Sequence, residues 1–370
     1  MFRTIRVMAL ALAAFGVSTV APLAAQDQPT SRFEGRIDVN EVLLDVLVTD
    51  ARGNVIVGLG PQDFTVREDG KPVELTGVTF YSDRRLIESP RAMAQKGIAV
   101  DNAPADRFFI LFFDDQKSAS ADAPQLLANE VDAAQRAKEW VLKDRQPSDW
   151  VAVVSYDNKL KIQQDFTRDG RVLAEAIGDA VQGKDREGNW PSRIAKGEGP
   201  SLYQWLPQGN ALRDQTGQIY DGLRVLADAA GHVRGRKNLI LFTNGFGRVN
   251  SFGQYIPDPR YYPDMSHALN DNNVAVYAVD LLPSSTQHPL GDAMSQLAND
   301  TGGQYYNTFT TFSTPLRQIA KENSGYYLLS YRRERSTGPA GFQKVEVKTT
   351  NPEFKVRARK GYSYGDEKSQ

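Results

Sequence analysis

From Phe108 to Phe113 every position is apolar, and the run stops at Asp114 and Asp115, followed by Gln116, Lys117 and Ser118. A short run with no polar position predicts a strand buried on both faces, as in the parallel sheet of an α/β fold. Ala123 to Lys143 reads as a helix. Its Leu127, Val131, Ala134, Ala137 and Val141 recur at steps of three and four, which predicts one apolar stripe against the sheet. Further buried strands are predicted at Trp150–Tyr156, Lys237–Gly245 and Val274–Leu282, with a last short one at Gln304–Tyr306. Lys159–Phe166 is expected beside the second of these strands, antiparallel to it. Helices are predicted over Arg168–Val181, Gly217–Ala230, Asp264–Asn273 and Asp292–Asp300. Strands alternating with helices predict a doubly wound, mostly parallel sheet. Gly183–Gln215, rich in Gly, Pro, Trp and charge, reads as a long surface insertion.

On both sides of this block the period changes to two. Val42, Leu44, Val46 and Val48 alternate with Glu41, Leu43, Asp45, Leu47 and Thr49, which predicts a strand with one fully buried face. A turn at Asp50–Asn54 and a second strand at Val55–Val57 follow. Phe64–Glu68 and Lys71–Leu75 flank Asp69-Gly70, a strong hairpin signal. Ser89–Asp106 reads as a linker. After a helix at Pro315–Asn323, alternation returns in Gly325–Arg333, Lys344–Lys348 and Phe354–Arg359. Neither β-rich end is large enough to close a core by itself. The expectation is therefore one β-sandwich assembled from residues 33–85 and 325–364, with the α/β domain of residues 104–312 inserted between its halves.

The first 25 residues carry a different signal. Arg3 and Arg6 make a basic start, Val7–Val20 an apolar stretch, and Leu23-Ala24-Ala25 a small-residue end before Gln26. These are the three parts of a secretory signal, and the stretch falls short of the ~20 residues a membrane span needs. Cleavage after Ala25 takes the 44 basic residues to 42 against 45 acidic ones. The expected mature protein is exported, periplasmic or secreted, with no integral membrane span; an uncleaved anchor is the alternative. The balanced charge argues against a nucleic-acid surface, which needs a basic excess to neutralise phosphates. There is no cysteine, so disulfides, thiolate metal sites and lipid attachment at cysteine are excluded.

In their order the pieces resemble a von Willebrand factor type A (VWA) domain, closest to exported bacterial proteins, common in acidobacteria, that carry such a domain between β-rich flanks. The resemblance rests on Phe108–Ser118, Thr216–Leu223, Leu239–Gly245 and Leu297–Tyr306, and in the flanks on Asp63–Lys71, Tyr326–Tyr331 and Arg357–Tyr362. It covers nearly all of the mature chain. It implies a Rossmann-like VWA fold and a divalent-ion site at the strand tops, the metal-ion-dependent adhesion site. That site's first loop is Asp-x-Ser-x-Ser, with a Thr from a second loop and an Asp from a third. Carried over, the metal-site residues are Asp114, Gln116, Ser118, Thr216 and Asn244. Asp114, Ser118 and Thr216 match the pattern, while Gln116 and Asn244 depart from it. Both departures keep an oxygen donor, but Asn244 removes a charge and Lys117 adds a cation, so Mg2+ or Ca2+ is expected to bind weakly. The alternative is a metal-free loop network with Lys117 in place of the ion.

Enzyme signals are poor by comparison. Asp114 and Asp115 form a candidate acid–base pair, yet neighbours on a strand point opposite ways. Gly178–Lys184 fits a phosphate-loop spacing, but Asp185 stands where Ser or Thr should hold magnesium. His232, His267 and His288 are scattered, with no ligand spacing. Tyr255, Tyr261 and Tyr262, among Pro257, Pro259 and Pro263, are a candidate partner surface or a packed, proline-stiffened loop. The expected function is non-enzymatic binding of a protein or cell-envelope partner through the strand-top loops. A metal-independent structural envelope component and a hydrolase using Asp114 and Asp115 are the competing readings.

Overall fold

The computed structural model describes residues 39–82, 99–101, 106–115, 123–182, 199–282, 290–334 and 340–365. The signal segment, Gln116, Lys117, Ser118, His288 and most of the Ser89–Asp106 linker lie outside the described residues.

Strand β6 (Phe108–Asp114) is buried along its whole length at the centre of a six-stranded sheet. Its neighbours are β7 (Trp150–Tyr156) and β9 (Lys237–Thr243), both parallel to it. Beyond β9 come β12 (Val274–Asp280) and β13 (Gln304–Tyr306), also parallel. Beyond β7 lies β8 (Leu160–Thr167), which runs antiparallel to it. Because β6 alternates between two helical layers, every residue needs to be apolar. Phe108, Ile110 and Phe112 share a core with Leu223 and Leu226 of helix α4 (Ile219–Gly231) and Met265 and Leu269 of α5 (Tyr262–Asp271). Phe109, Leu111 and Phe113 share the other core with α1 (Ala123–Glu139), α2 (Gly170–Val181) and α7 (Ser313–Glu322).

Helix α1 bears out part of the predicted stripe, since Ala134, Ala137 and Val141 are buried, and corrects the rest. Its Leu127 and Val131 are 57% and 55% exposed, whereas Glu130, Ala133, Ala134 and Ala137 are buried. The strand residues opposite are Phe109, Leu111 and Phe113. A face of alanines lets the helix close on such bulky partners, so small size outweighed hydrophobicity in choosing the buried stripe. A π-helical turn at Trp140–Asp144 then widens the helix and buries Trp140 and Val141 side by side.

The expected surface insertion is corrected in its second half. Leu202, Leu206 and Leu212 are core residues. Buried Asp165 holds this segment: its carboxylate accepts Leu202 N at 2.8 Å, Ser201 Oγ at 2.6 Å and Tyr203 N at 3.2 Å. A short helix, α3 (Asn210–Gln215), completes it. Val55–Val57 forms a single bridge to Thr49 and not a strand.

The flanks form two further sheets. One orders β16 (Lys355–Arg357), β1 (Val39–Thr49), β14 (Gly325–Glu334), β4 (Leu75–Ser82) and β5 (Ala99–Asp101). The other orders β17 (Gly361–Tyr364), β15 (Gly341–Thr349), β2 (Phe64–Glu68) and β3 (Lys71–Val73). Asp69 and Gly70, both at positive φ, make the tight turn between β2 and β3. Side chains of both sheets meet in one apolar cluster, including Leu44 and Val46 of β1, Tyr327 and Leu329 of β14, Val66 of β2 and Val345 of β15. Glu68 joins the two sheets, since one of its oxygens accepts both Tyr331 and Tyr362 hydroxyls at 2.7 Å.

The other face of β1 is not free either. Asp45 and Leu47 are buried, and Asp45 accepts the Asn273 amide just before β12. Arg359 donates to the Asn270 and Leu43 carbonyls at 2.9 Å, and Arg357 pairs with buried Glu322 at the end of α7. The flanks are thus fastened to the α/β block by polar contacts.

Candidate functional site

The carboxyl ends of four neighbouring strands set the site. Asp280 of β12 lies in register with Thr243 of β9, and Asp114 of β6 with Tyr156 of β7. Phe113 is paired with Phe242, so Asp114 is the next residue beside Thr243. Asp280, Thr243, Asp114 and Tyr156 therefore form one row across the sheet. The side-chain period of two puts the row on the face that carries Ile110, Phe112 and α4.

Within the row the contacts are short. Thr243 Oγ1 donates to Asp114 Oδ2 at 2.6 Å and accepts Gly245 N at 2.9 Å. Gly245 turns the chain at φ +84, and a Cβ there would lie 2.6 Å from Leu290, so only glycine fits. Tyr156 lies under α4, where Gly222 leaves room: a Cβ at Gly222 would sit 3.1 Å from the tyrosine ring. The Tyr156 hydroxyl donates to the Thr216 carbonyl at 3.0 Å. Burial raises the Tyr156 pKa, and the nearby charges of Asp114, Asp221 and Asp157 add to the shift. Proton loss there would place another anion among carboxylates in a poorly solvated pocket.

Of the five predicted site residues, three are described. Asp114 is buried at the centre of the row. Thr216 is fully buried at the end of α3, with its hydroxyl proton committed to the Leu212 carbonyl at 2.7 Å. Its oxygen keeps lone pairs for a cation. Asn244 is half-buried and follows directly on Thr243. Tyr156 connects the first two, being paired with Asp114 and bonded to Thr216; Gln116 and Ser118 lie outside the described residues. The described donors are hard oxygens, which suits Mg2+ or Ca2+ better than a soft metal, but they bring one formal negative charge. Among the described residues no group of three or more His, Cys, Asp or Glu is arranged to hold a metal ion.

Two acids of this region escaped the sequence reading. Asp280 ends an apolar strand just as Asp114 does, a signal present in Val274–Asp280. Its Oδ2 accepts the Tyr305 hydroxyl at 2.7 Å and its Oδ1 accepts Leu282 N at 2.8 Å. Asp221, in the first turn of α4, is close enough to Tyr156 to act on its ionisation.

The remaining chemical candidates resolve into packing. Asp115 lies just past the end of β6 and donates its backbone N–H to the Tyr156 carbonyl. Gly178 is inside α2 and not in a strand-to-helix loop. His232 stacks on Trp205 and His267 on Phe342, with ring planes 6° apart in each case. Tyr262 is buried with its hydroxyl on Asp300 at 2.6 Å, and Tyr261 stacks on Tyr220. The proline-flanked tyrosines thus belong to a packed loop. One exposed apolar surface lies on the hairpin of β10 (Arg248–Val249) and β11 (Tyr255–Ile256), which includes Tyr255. Phe252 at its tip is 84% exposed, and Val249 and Ile256 are also exposed. Asn250 fixes the tip by accepting Phe252 N and Gln254 N, both at 2.9 Å.

No family model matches the chain, and no curated protein matches it. Among solved structures it is similar to proximal thread matrix protein 1 from the mussel byssus, at 17% identity and a TM-score of 0.36, over 59% of this chain and 48% of that one. The chain therefore spans about half the length of the mussel protein. It is similar to the conserved hypothetical protein BatB from Bacteroides thetaiotaomicron, at 13% identity and a TM-score of 0.34, over 59% and 97% of the two chains. The vWF domain of the type V pili tip protein Mfa5 from Porphyromonas gingivalis is 11% identical with a TM-score of 0.35, over 58% and 94%. All three scores lie below 0.5, and these likenesses carry no inference about this chain. No helix among the described residues is long and apolar enough to cross a membrane.

Proposed function

We propose that the protein is an exported, non-enzymatic binding protein. Its α/β block acts as a VWA-like domain, its flanks as a supporting β-sandwich, and its strand-top loops engage a protein or cell-envelope partner. Asp114, Gln116, Ser118, Thr216 and Asn244 make up a degenerate cation site that holds Mg2+ or Ca2+ weakly. When bound, the ion would offer an open coordination position to a partner's carboxylate.

The observation that carries this reading is the hairpin directly after the strand top of β9. It holds a phenylalanine 84% exposed, flanked by exposed Val249 and Ile256, a few residues from the Asp114 row. Exposed aromatics on an ordered loop are characteristic of the centres of protein interfaces. A hydrolase reading has less support. One Asp114 oxygen is taken by Thr243, and both described histidines are stacked on aromatic rings.

The test is capture from the native envelope fraction with the full chain, Phe252→Ser and Asp114→Ala. A partner retained by the parent and lost with Phe252→Ser supports the reading. Equal capture by the parent and Phe252→Ser removes the hairpin from the binding surface. Capture of nothing by the parent leaves the structural-component reading ahead.

A further inference from the structure

A cavity of 570 Å3 lies on the far side of α5, away from the strand-top row, against the outward face of the β2–β15 sheet. Ser266, His267 and Asn270 line it from one face of α5, at steps of three and four. Phe342, Lys344 and Glu346 line it from β15, where alternate residues share a face. Arg67 sits opposite Glu346 in the strand register, and Lys360 reaches the cavity from the turn before β17.

The polar groups here are used unequally. Asp300 accepts the Tyr262 hydroxyl at 2.6 Å, and Glu346 pairs with Lys348 at 2.7 Å. The Asn270 side chain accepts Lys360 N at 3.1 Å and donates to the Ser266 carbonyl at 2.7 Å. Each of these acceptors thus has at least one partner. The donors differ: among the described residues, the side chains of Arg67, Lys344, Lys360, Ser266 and His267 have no hydrogen-bond acceptor. Three basic side chains, a hydroxyl and an imidazole thus converge on a cavity whose carboxylates are two, Asp300 and Glu346; Glu346 feels Lys348, Arg67 and Lys360, and the basic groups outnumber the acids on the cavity wall. Like charges held together raise the local potential and favour an anion. The His267 ring, flat on Phe342 at 4.1 Å, adds an apolar wall for the rest of a ligand. The volume lies within the range that small-molecule sites occupy, about 300–1,000 Å3.

We propose that this cavity binds a small organic oxyanion, as carboxylate or phosphate. The ligand bridges α5 and the flanking sheet, with Arg67, Lys344 and Lys360 meeting its charge and Ser266 and His267 supplying further hydrogen-bond donors. The site is separate from the strand-top row and does not depend on the cation reading there.

Isothermal titration of the full chain at low salt, with citrate and with pyrophosphate, tests the proposal. One-to-one binding of either is expected. The double variant Lys344→Ala, Lys360→Ala should weaken it at least tenfold; both side chains are exposed, so folding is not at stake. Lys355→Ala, an exposed lysine on the other sheet, should leave it unchanged. Binding of citrate alone assigns a carboxylate ligand, and binding of pyrophosphate alone a phosphate ligand. Binding of both shows that charge governs the choice, and supports the site equally. No binding of either at millimolar concentration overturns the proposal. So does an equal loss with Lys355→Ala, which would mark a general charge effect.

Discussion

Thr243→Val probes the strand-top row with little change of shape. Thr243 is fully buried, and its hydroxyl makes two contacts: it donates to the Asp114 carboxylate at 2.6 Å and accepts Gly245 N at 2.9 Å. A hydrogen bond to a charged group contributes about 1.5–3 kcal/mol and a neutral one about 1 kcal/mol. Valine regains up to about 1 kcal/mol by burying a methyl where the hydroxyl stood. The net loss should be about 2–3 kcal/mol. Urea unfolding measures it as a lower midpoint at unchanged slope. The charge-assisted part can be isolated by repeating Thr243→Val in an Asp114→Asn background, where only neutral bonds are at stake. The loss there should fall by roughly 1 kcal/mol or more, which is the coupling energy of the pair. A loss below about 0.5 kcal/mol, or one of equal size in both backgrounds, would refute the claim that Thr243 holds Asp114 in place.

Three further outcomes are expected. Asn244→Asp should restore the missing carboxylate and tighten Mg2+ or Ca2+ binding more than tenfold, about 1.4 kcal/mol, while Asp114→Ala should abolish it; calorimetry of the metal-stripped protein that gives one affinity for parent and both variants would put the ion elsewhere. Arg107→Ala should cost about 3–5 kcal/mol in chemical denaturation, because it strands buried Asp149, whose two oxygens Arg107 now meets at 2.7 and 2.8 Å. Lys237, buried at the start of β9 with its ammonium on the Val233 carbonyl, has its pKa pushed down to about 8 by burial. Below pH 8 it is charged in both folded and unfolded chains and its burial penalty is complete; between about 8 and 10.5 only the unfolded chain keeps the proton, so stability rises with pH. Lys237→Met should therefore gain up to roughly 3 kcal/mol on the parent at pH 7, less the lost hydrogen bond, with the advantage gone near pH 10.5; a stability difference flat across that range would contradict it.

Much of the α/β block could be read from the chain because its signals are local. Phe108–Phe113 is apolar at each position since a central parallel strand faces a helical layer on both sides. The polar residue at the end of such a run marks where a ligand-binding loop begins, and Asp114 was found that way. Asp280 carries the same mark less visibly, because Leu281 and Leu282 continue the apolar run past it.

What the sequence determined by itself was periodicity: most of the α/β strands and helices, and one buried face of β1; it did not show that Val55–Val57 would stay out of a strand or that Leu75–Ser82 would form one. It did not determine choices between surfaces that depend on a partner's shape. In α1 two stripes at helical spacing compete. The tertiary structure buried Ala133, Ala134 and Ala137 in the core that holds Phe109 and Phe113 and left Leu127 and Val131 exposed. Residues 199–215, polar on average, entered the core through three leucines once Asp165 had gathered the backbone N–H groups around it. The second buried face of β1, the two tyrosines sharing Glu68 and the donor-rich cavity beside α5 belong to the same class. Each brings together residues tens to hundreds of positions apart, and no local pattern encodes such a meeting. Burial, charge and free donors become properties of a place only when the chain has closed around it.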